Sequence, residues 1–439
     1  MLGLTKRDEA IATVGLAISL VLELVVGIAY ARIVPPFNNP DEPAHWNFIV
    51  HVAMTGQLPT LKVGDYPEAL VNDLKTSHFP PDRSIEPIVY ESHQPPLYYA
   101  IGAAVYKLTV WRSIGTAIFA VKLLSVLFGV SLVATTYAIA RELCPEQPAV
   151  WVGASSFVAL LPMHANMTAA INNDTLGDLL LAVLVLLCMR RMRGEWSPVL
   201  AIGAGVVLGL GLLTKVTVYV GLPLLVAAEA MGQWRAARTT RRRQRRLFAL
   251  TALIALVLAG WWPIRNMFIY GPTDPVGLQR NQLVVTQPLT GPITGQSAAR
   301  WMTITFDSFW GQFGWMGIPL DGRIYRLLLV ASALAVLGAG IALLRRTEAA
   351  KPELVLPGLL ALWLLLVIGD DIYYNLTFIQ AQGRYLFPAV PAFAILFAGG
   401  LLTFVGQRWR WLGALGLASS LLVLDVYILK DVLQPYFHA

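Results

Sequence analysis

The sequence predicts an all-α polytopic membrane protein, and three observations carry that prediction. Of 439 residues, 56% are hydrophobic and only 13% are charged, a balance outside that of soluble globular domains. The apolar residues gather into runs of the roughly 20 residues that a helix needs to cross about 30 Å of hydrocarbon. Between the runs stand short arginine-rich segments of the kind that stay on the cytoplasmic side of a membrane.

The first run, Ile11 to Tyr30, follows Lys6 and Arg7 as a signal-peptide core would. It is too long for that, and the following Ala31-Arg32-Ile33-Val34-Pro35-Pro36 offers no small-residue cleavage site. It is therefore read as the first span. Further spans are expected over about 116–140, 148–170, 175–190, 198–214, 216–232, 247–268, 324–344, 354–372, 385–405 and 411–430.

An apolar segment at 96–110 decides the topology. If it crosses, Arg190 to Arg193, Arg241 to Arg246, Arg345 with Arg346, and Gln407 to Arg410 all fall on the side opposite Lys6 and Arg7. If it lies in the interface, they all share the side of Lys6 and Arg7, as the positive-inside tendency requires. The segment follows Pro95 and carries Tyr98, Tyr99, Tyr106 and Lys107, an interfacial pattern. About eleven spans result, with the N-terminus cytoplasmic and the C-terminus outside, in the inner (plasma) membrane.

Three parts follow from this map. Residues 1–232 form a first transmembrane module with an extracytoplasmic loop at 32–115 that holds interfacial helices. Residues 233–246 form a basic cytoplasmic loop, and residues 247–439 a second module with an extracytoplasmic loop at 270–323. The net charge of +7 and the run Arg235 to Arg246 report topology and attraction to anionic membrane lipids, not nucleic acid. Cys144 and Cys188 are too few for a disulfide framework.

The unusual polar residues then fall on one face. The stretch "VPPFNNPDEPAHWNFIVHVAMTGQLP", Val34 to Pro59, places Asp41, Glu42 and His45 just outside the first span. Asn38 or Asn39 is expected to cap a short interfacial helix that Asp41 and Glu42 begin. Acids in a first turn are favoured by the helix dipole, which gives either one a structural explanation. The dipole does not explain why Asp41 and His45 share a face at i, i+4, where an apolar and an aqueous substrate would meet. A carboxylate there can act as a general base on a hydroxyl. Lys215, at the tight turn of "GLGLLTKVTVYVGLPLL" (Gly209 to Leu225), either snorkels or meets an anion. Arg265 in "WWPIRN" and Arg384 in "QGRYLFPAVP" have the same placement, and three separated outward cations suggest an anionic headgroup.

Taken in order, "PDEPAH", "ESHQPPLYYA" (Glu91 to Ala100), "MTAAINNDTLGDLL" (Met167 to Leu180), "GLGLLTK" and "QGRYLFPAVP" resemble the GT-C superfamily of polyprenyl-phosphate-sugar glycosyltransferases. The "PPLYY" segment and the lysine turn look like those of protein O-mannosyltransferases and the lipid A aminoarabinose transferase. "NPDEPAHW", "NND" and "SFWGQFGWMGIPLD" (Ser308 to Asp321) are most similar to a little-characterised bacterial branch of that superfamily.

The resemblance implies a GT-C-like fold and an inverting sugar transfer at the extracytoplasmic face. In it Asp41, or Glu42 beside it, is the catalytic base. Lys215, Arg384 and Arg265 meet the donor phosphate. His45, His93, Gln94, Asp174 and Asn173 contact substrate, Asp174 either orienting the acceptor or capping the span that starts next to it. The implied partners are a polyprenyl-phosphate sugar donor and a glycan, lipid or protein acceptor. No cofactor and no metal ligand is expected, although Asp41, Glu42, His45 and Asp174 are of the type that holds a divalent ion. No nucleotide-binding glycine loop is present in the sequence. The alternative is a secondary transporter or flippase for a lipid-linked sugar or another anionic substrate. That reading predicts two related halves with interrupted helices, and no internal repeat is visible.

Overall fold

The computed structural model describes residues 5–285, 294–345, 355–377 and 380–438. Arg346, Ile379 and residues 286–293 of the expected loop at 270–323 lie outside the described residues. The helices run in chain order as α1 Lys6–Ile33, α2 Glu42–Thr55, α3 Glu68–Thr76, α4 Leu97–Thr109, α5 Ile114–Leu143, α6 Pro148–Ala159, α7 Pro162–Thr168, α8 Asp174–Met192, α9 Pro198–Leu212 and α10 Gly221–Arg235. They continue as α11 Arg238–Ala259, α12 Trp261–Tyr270, α13 Leu278–Val284, α14 Gly295–Gly311, α15 Gly322–Leu344, α16 Val355–Thr377, α17 Val390–Thr403, α18 Arg410–Tyr427 and α19 Gln434–His438. Two strands, β1 Gln312–Phe313 and β2 Ile318–Pro319, pair antiparallel in a small hairpin.

Among the described residues, seven helical segments are long and apolar enough to cross a membrane, and two bent pairs, α6–α7 at 60° and α11–α12 at 43°, bring the number to nine. The described residues of all eleven expected spans are largely helical, Leu354 lying outside the described residues, but two spans fall short on their own. Helix α8 carries Asp174, Asp178, Arg190 and Arg191, and α9 has only 15 residues, about 22 Å of helix. The count of eleven is reached only by including them.

The centre of the bundle is α6–α7. Helix α6 is buried at every position except Val152, and all seven residues of α7 are buried. Pro162 stands at the bend, where its missing N–H breaks the hydrogen-bond ladder. Helices α1, α5, α17 and α18 pack around α6. The chain thus dives into the core and returns through Ile171-Asn172-Asn173, delivering Asp174 at the start of α8.

Segment 97–109 forms α4, whose 13 residues span about 20 Å, shorter than the hydrocarbon layer. It packs on α2 and α5 through Trp46, Ile49, Tyr98, Tyr99, Ala103 and Tyr106. Its first amide, Leu97 N–H, donates to the Leu213 carbonyl at 2.8 Å, which ties it to the turn that bears Lys215.

The start of α2 differs from expectation. Asp41, not an asparagine, occupies the N-cap, in a left-handed conformation with φ 65°, and its side chain makes no capping bond. Asn38 donates to the carbonyls of Pro36 and His78, and Asn39 accepts from Asn166 Nδ2 at 2.8 Å. Both asparagines are spent on distant backbone and core contacts, so neither is free to cap.

Candidate active site

Asp41 is drawn away from its own helix by two partners. Tyr90 Oη donates to Asp41 Oδ1 at 2.7 Å, and the Arg384 guanidinium forms an ion pair with Oδ2. Arg384 sits in a 3-10 turn, Gly383–Ala389, that leads into α17. That turn presses on α14. Gly383 N–H donates to Ser308 Oγ at 2.7 Å, and a Cβ at 383 would lie 2.1 Å from the Phe309 nitrogen. Only glycine allows this approach. Burial alone would raise the Asp41 pKa, but the Arg384 guanidinium, with the Tyr90 hydrogen bond, outweighs it and lowers it to about 2.

The second pair joins Asp174 to Lys215. Asn173 Nδ2 donates to the Thr214 carbonyl at 2.8 Å and to Gln94 Oε1 at 3.2 Å, so one side chain fixes the α7–α8 return, the lysine turn and the start of α4 together. Residues of the five sequence motifs therefore meet at one end of the bundle.

Glu42 points elsewhere. It is fully buried, pairs with Lys122 of α5 at 3.3 Å, and accepts the Ile171 N–H at 3.1 Å. Lys122 also donates to the Val34 carbonyl at 3.2 Å. The carboxylate locks α2 to α5 and to the loop before Asp174.

His45 Nδ1 lies 2.8 Å from Tyr99 Oη, and Phe48 stacks on Tyr99 with ring centroids 3.7 Å apart. Burial lowers the His45 pKa despite the nearby carboxylates of Glu91, Asp41 and Asp174. Burial likewise lowers His93, to about 4, its Nδ1 lying 3.3 Å from the Tyr90 carbonyl. Both rings are neutral at pH 7. Glu91, beside them, is pushed up chiefly by burial, and among the described residues its Oε2 has no hydrogen-bond partner.

Arg265 is not brought to this cluster. Among the described residues it donates to the Pro59 carbonyl at 2.9 Å and to Asn266 Oδ1 at 3.1 Å, and it lies over the Trp262 ring at 4.8 Å. Also among the described residues, no three His, Cys, Asp or Glu side chains converge as a metal-holding group.

Sequence reasoning missed Tyr90, Glu91, Tyr99 and Lys122. Signals existed for each. Tyr90 and Glu91 directly precede His93-Gln94, Tyr99 ends "PPLYY", and Lys122 is a lone cation in an apolar span, itself a pointer to a buried partner.

Residues 93–262 match the family described as dolichyl-phosphate-mannose-protein mannosyltransferase. No curated protein matches the chain. Among solved structures, the apo oligosaccharyltransferase of Archaeoglobus fulgidus is 13% identical with a TM-score of 0.54, covering 95% of this chain and 56% of its own. Its AglB complex with an inhibitory peptide and a dolichol-phosphate has 13% identity and a TM-score of 0.51, covering 97% and 56%. Apo ArnT from Cupriavidus metallidurans is 14% identical with a TM-score of 0.54, covering 98% and 74%. The chain thus spans little more than half the length of the archaeal proteins and about three quarters of ArnT. This multi-pass membrane protein has the fold of the GT-C glycosyltransferase superfamily.

Proposed function

We propose that the protein is a membrane glycosyltransferase that moves a sugar from a polyprenyl-phosphate donor to an acceptor hydroxyl, with inversion, at the extracytoplasmic face. The observation that carries this reading is the meeting of two acid–cation pairs, Asp41–Arg384 and Asp174–Lys215, at one end of the bundle. A general base for the acceptor hydroxyl and cations that hold the leaving phosphate are what such a transfer needs.

In the reaction, Asp41 takes the acceptor O–H proton as that oxygen forms a bond to the anomeric carbon. The bond from that carbon to the phosphate oxygen breaks, and its electron pair leaves with the polyprenyl phosphate. Arg384 and Lys215 hold the developing charge. Both cations are paired with carboxylates. The donor phosphate competes for them, and the exchange frees Asp41, with Tyr90 still holding Oδ1, at the moment a base is required. Asp41 paired to Arg384 is a weak base, and loss of that pair raises its proton affinity. Glu42 is the strut that holds α2 against α5, not the base. Arg265 holds the outer loop through Pro59.

The test is to offer purified protein in nanodiscs a panel of polyprenyl-phosphate sugars with candidate acceptors, and to measure release of polyprenyl phosphate and inverted product. Sugar movement across the bilayer without bond cleavage would support the flippase alternative and overturn this reading.

A further inference from the structure

Among the described residues, six that are not glycine have a left-handed backbone: Phe37, Asp41, His78, Phe79, Trp315 and Met316, with φ between 51° and 70°. L-residues avoid this region because Cβ crowds the following carbonyl. They stay there only where surrounding contacts over-determine them, and such places concentrate at functional sites.

These six are not scattered. They form three segments far apart in sequence, and each segment is held by another. Trp315 Nε1 donates to the Phe37 carbonyl at 2.9 Å across 278 residues of chain. The Trp315 ring stacks on Phe79 with centroids 5.8 Å apart and planes 15° apart. Asn38 Nδ2 donates to the His78 carbonyl at 3.1 Å. The segment in the middle, 37–41, ends at the Asp41 carboxylate.

The hairpin that carries Trp315 is itself anchored. Tyr325 Oη donates to the Gly311 carbonyl at 2.6 Å and accepts the Leu320 N–H at 2.9 Å. Its tip has three consecutive left-handed residues, Gly314, Trp315 and Met316. A hairpin that needed only to turn would place glycine or asparagine there. Tryptophan and methionine at those positions are explained by what the indole touches.

We infer that Trp315, together with Asn38, is a positioning residue for the base: the two brace the left-handed turn Phe37–Asp41 so that the Asp41 carboxylate faces Tyr90 and Arg384 instead of capping α2. This role rests on the reading of Asp41 as base. Without the brace, the turn relaxes toward right-handed backbone, and the Asp41 carboxylate loses its aim at Tyr90 and Arg384. The cations come from other elements, so donor binding survives.

The test uses full-length protein in nanodiscs. Trp315→Phe keeps a six-membered ring near Phe79 and Lys75 and removes the indole N–H with its five-membered ring, and Asn38→Ala removes the second tie. Each variant is read by single-turnover rate at saturating donor, by affinity for polyprenyl phosphate, by amide exchange and by thermal unfolding. The expected result is a rate lowered about tenfold to a hundredfold, donor affinity not weakened and tighter by up to about tenfold because the Asp41 carboxylate no longer competes for Arg384, and faster exchange confined to residues 36–45. Wild-type rates in both variants overturn the brace, and so does a rate loss matched by exchange across the whole bundle with a lower unfolding midpoint. A wild-type protein that transfers no lipid-linked sugar overturns the reading of Asp41 as base, a separate failure.

Discussion

Asp41 and Glu42 are consecutive carboxylates, yet the first leaves 23% of its side chain exposed beside Arg384 and the second 0% beside Lys122. The divergence is a backbone effect. Asp41 lies at φ 65° outside the helix and Glu42 is the first helical residue, so one side chain faces the open end of the bundle and the other its interior. On the proposed reading, an incoming phosphate reaches the Asp41–Arg384 pair from the partly exposed Asp41 side, Arg384 itself being buried. The Glu42–Lys122 pair, buried on both sides, cannot exchange, because either ion left alone would be uncompensated in a low-dielectric interior. On the proposed reading, adjacent residues of one type thus become a chemical group and a structural strut.

The largest effect expected from this contrast is on rate. Asp41→Asn keeps the size of the side chain but has no lone pair basic enough for the hydroxyl proton, so single-turnover transfer should fall about a hundredfold to ten-thousandfold. Near-normal transfer would remove Asp41 from the chemistry.

Glu42→Gln should act on stability instead. It strands the Lys122 charge, and breaking a buried pair costs about 3 to 5 kcal/mol, read as a lower unfolding midpoint in detergent. Glu42→Gln with Lys122→Met should recover most of that loss, and the protein that remains folded should still transfer sugar. A Glu42→Gln protein of normal stability with no activity would exchange the two roles.

Arg384→Ala and Lys215→Ala come next. Each removes a charge-assisted contact worth about 1.5 to 3 kcal/mol, so donor affinity should fall about tenfold to a hundredfold, with Lys215→Arg milder. Unchanged affinity in both alanine variants would dismiss them as the phosphate site. The smallest effect belongs to Arg265→Ala, whose contacts lie with Pro59, Asn266 and Trp262. Donor affinity there should stay within about 0.5 kcal/mol, and a larger loss would bring Arg265 back to the donor.

The sequence made the helices legible because membrane spans announce themselves by run length and charge. The short helix α4, 13 residues long, was readable from Pro95 and the tyrosines. Asp41, Asp174, Lys215 and Arg384 were nameable as candidates, since polar residues at the ends of apolar runs stand out. Which acid meets which cation was not readable. Pairing depends on the left-handed turn at Asp41 and on the close approach of Gly383 to Phe309, and neither leaves a period or a composition to detect. Glu42 was assigned with Asp41 because one residue of spacing says nothing about which way a non-helical backbone turns. The tie from Trp315 to Phe37 was hidden for the same reason, although the motif around the tryptophan was visible.

The central claim is that Asp41 and the donor phosphate compete for Arg384, and binding without turnover tests it most directly. Affinity for a polyprenyl phosphate should be measured in wild-type protein and in Asp41→Asn at neutral pH. The account predicts tighter binding in the variant, by about tenfold, because a charge-assisted pair worth about 1.5 to 3 kcal/mol no longer has to be fully displaced. Weaker or unchanged binding in a folded Asp41→Asn protein would contradict it, since Arg384 would then not be shared.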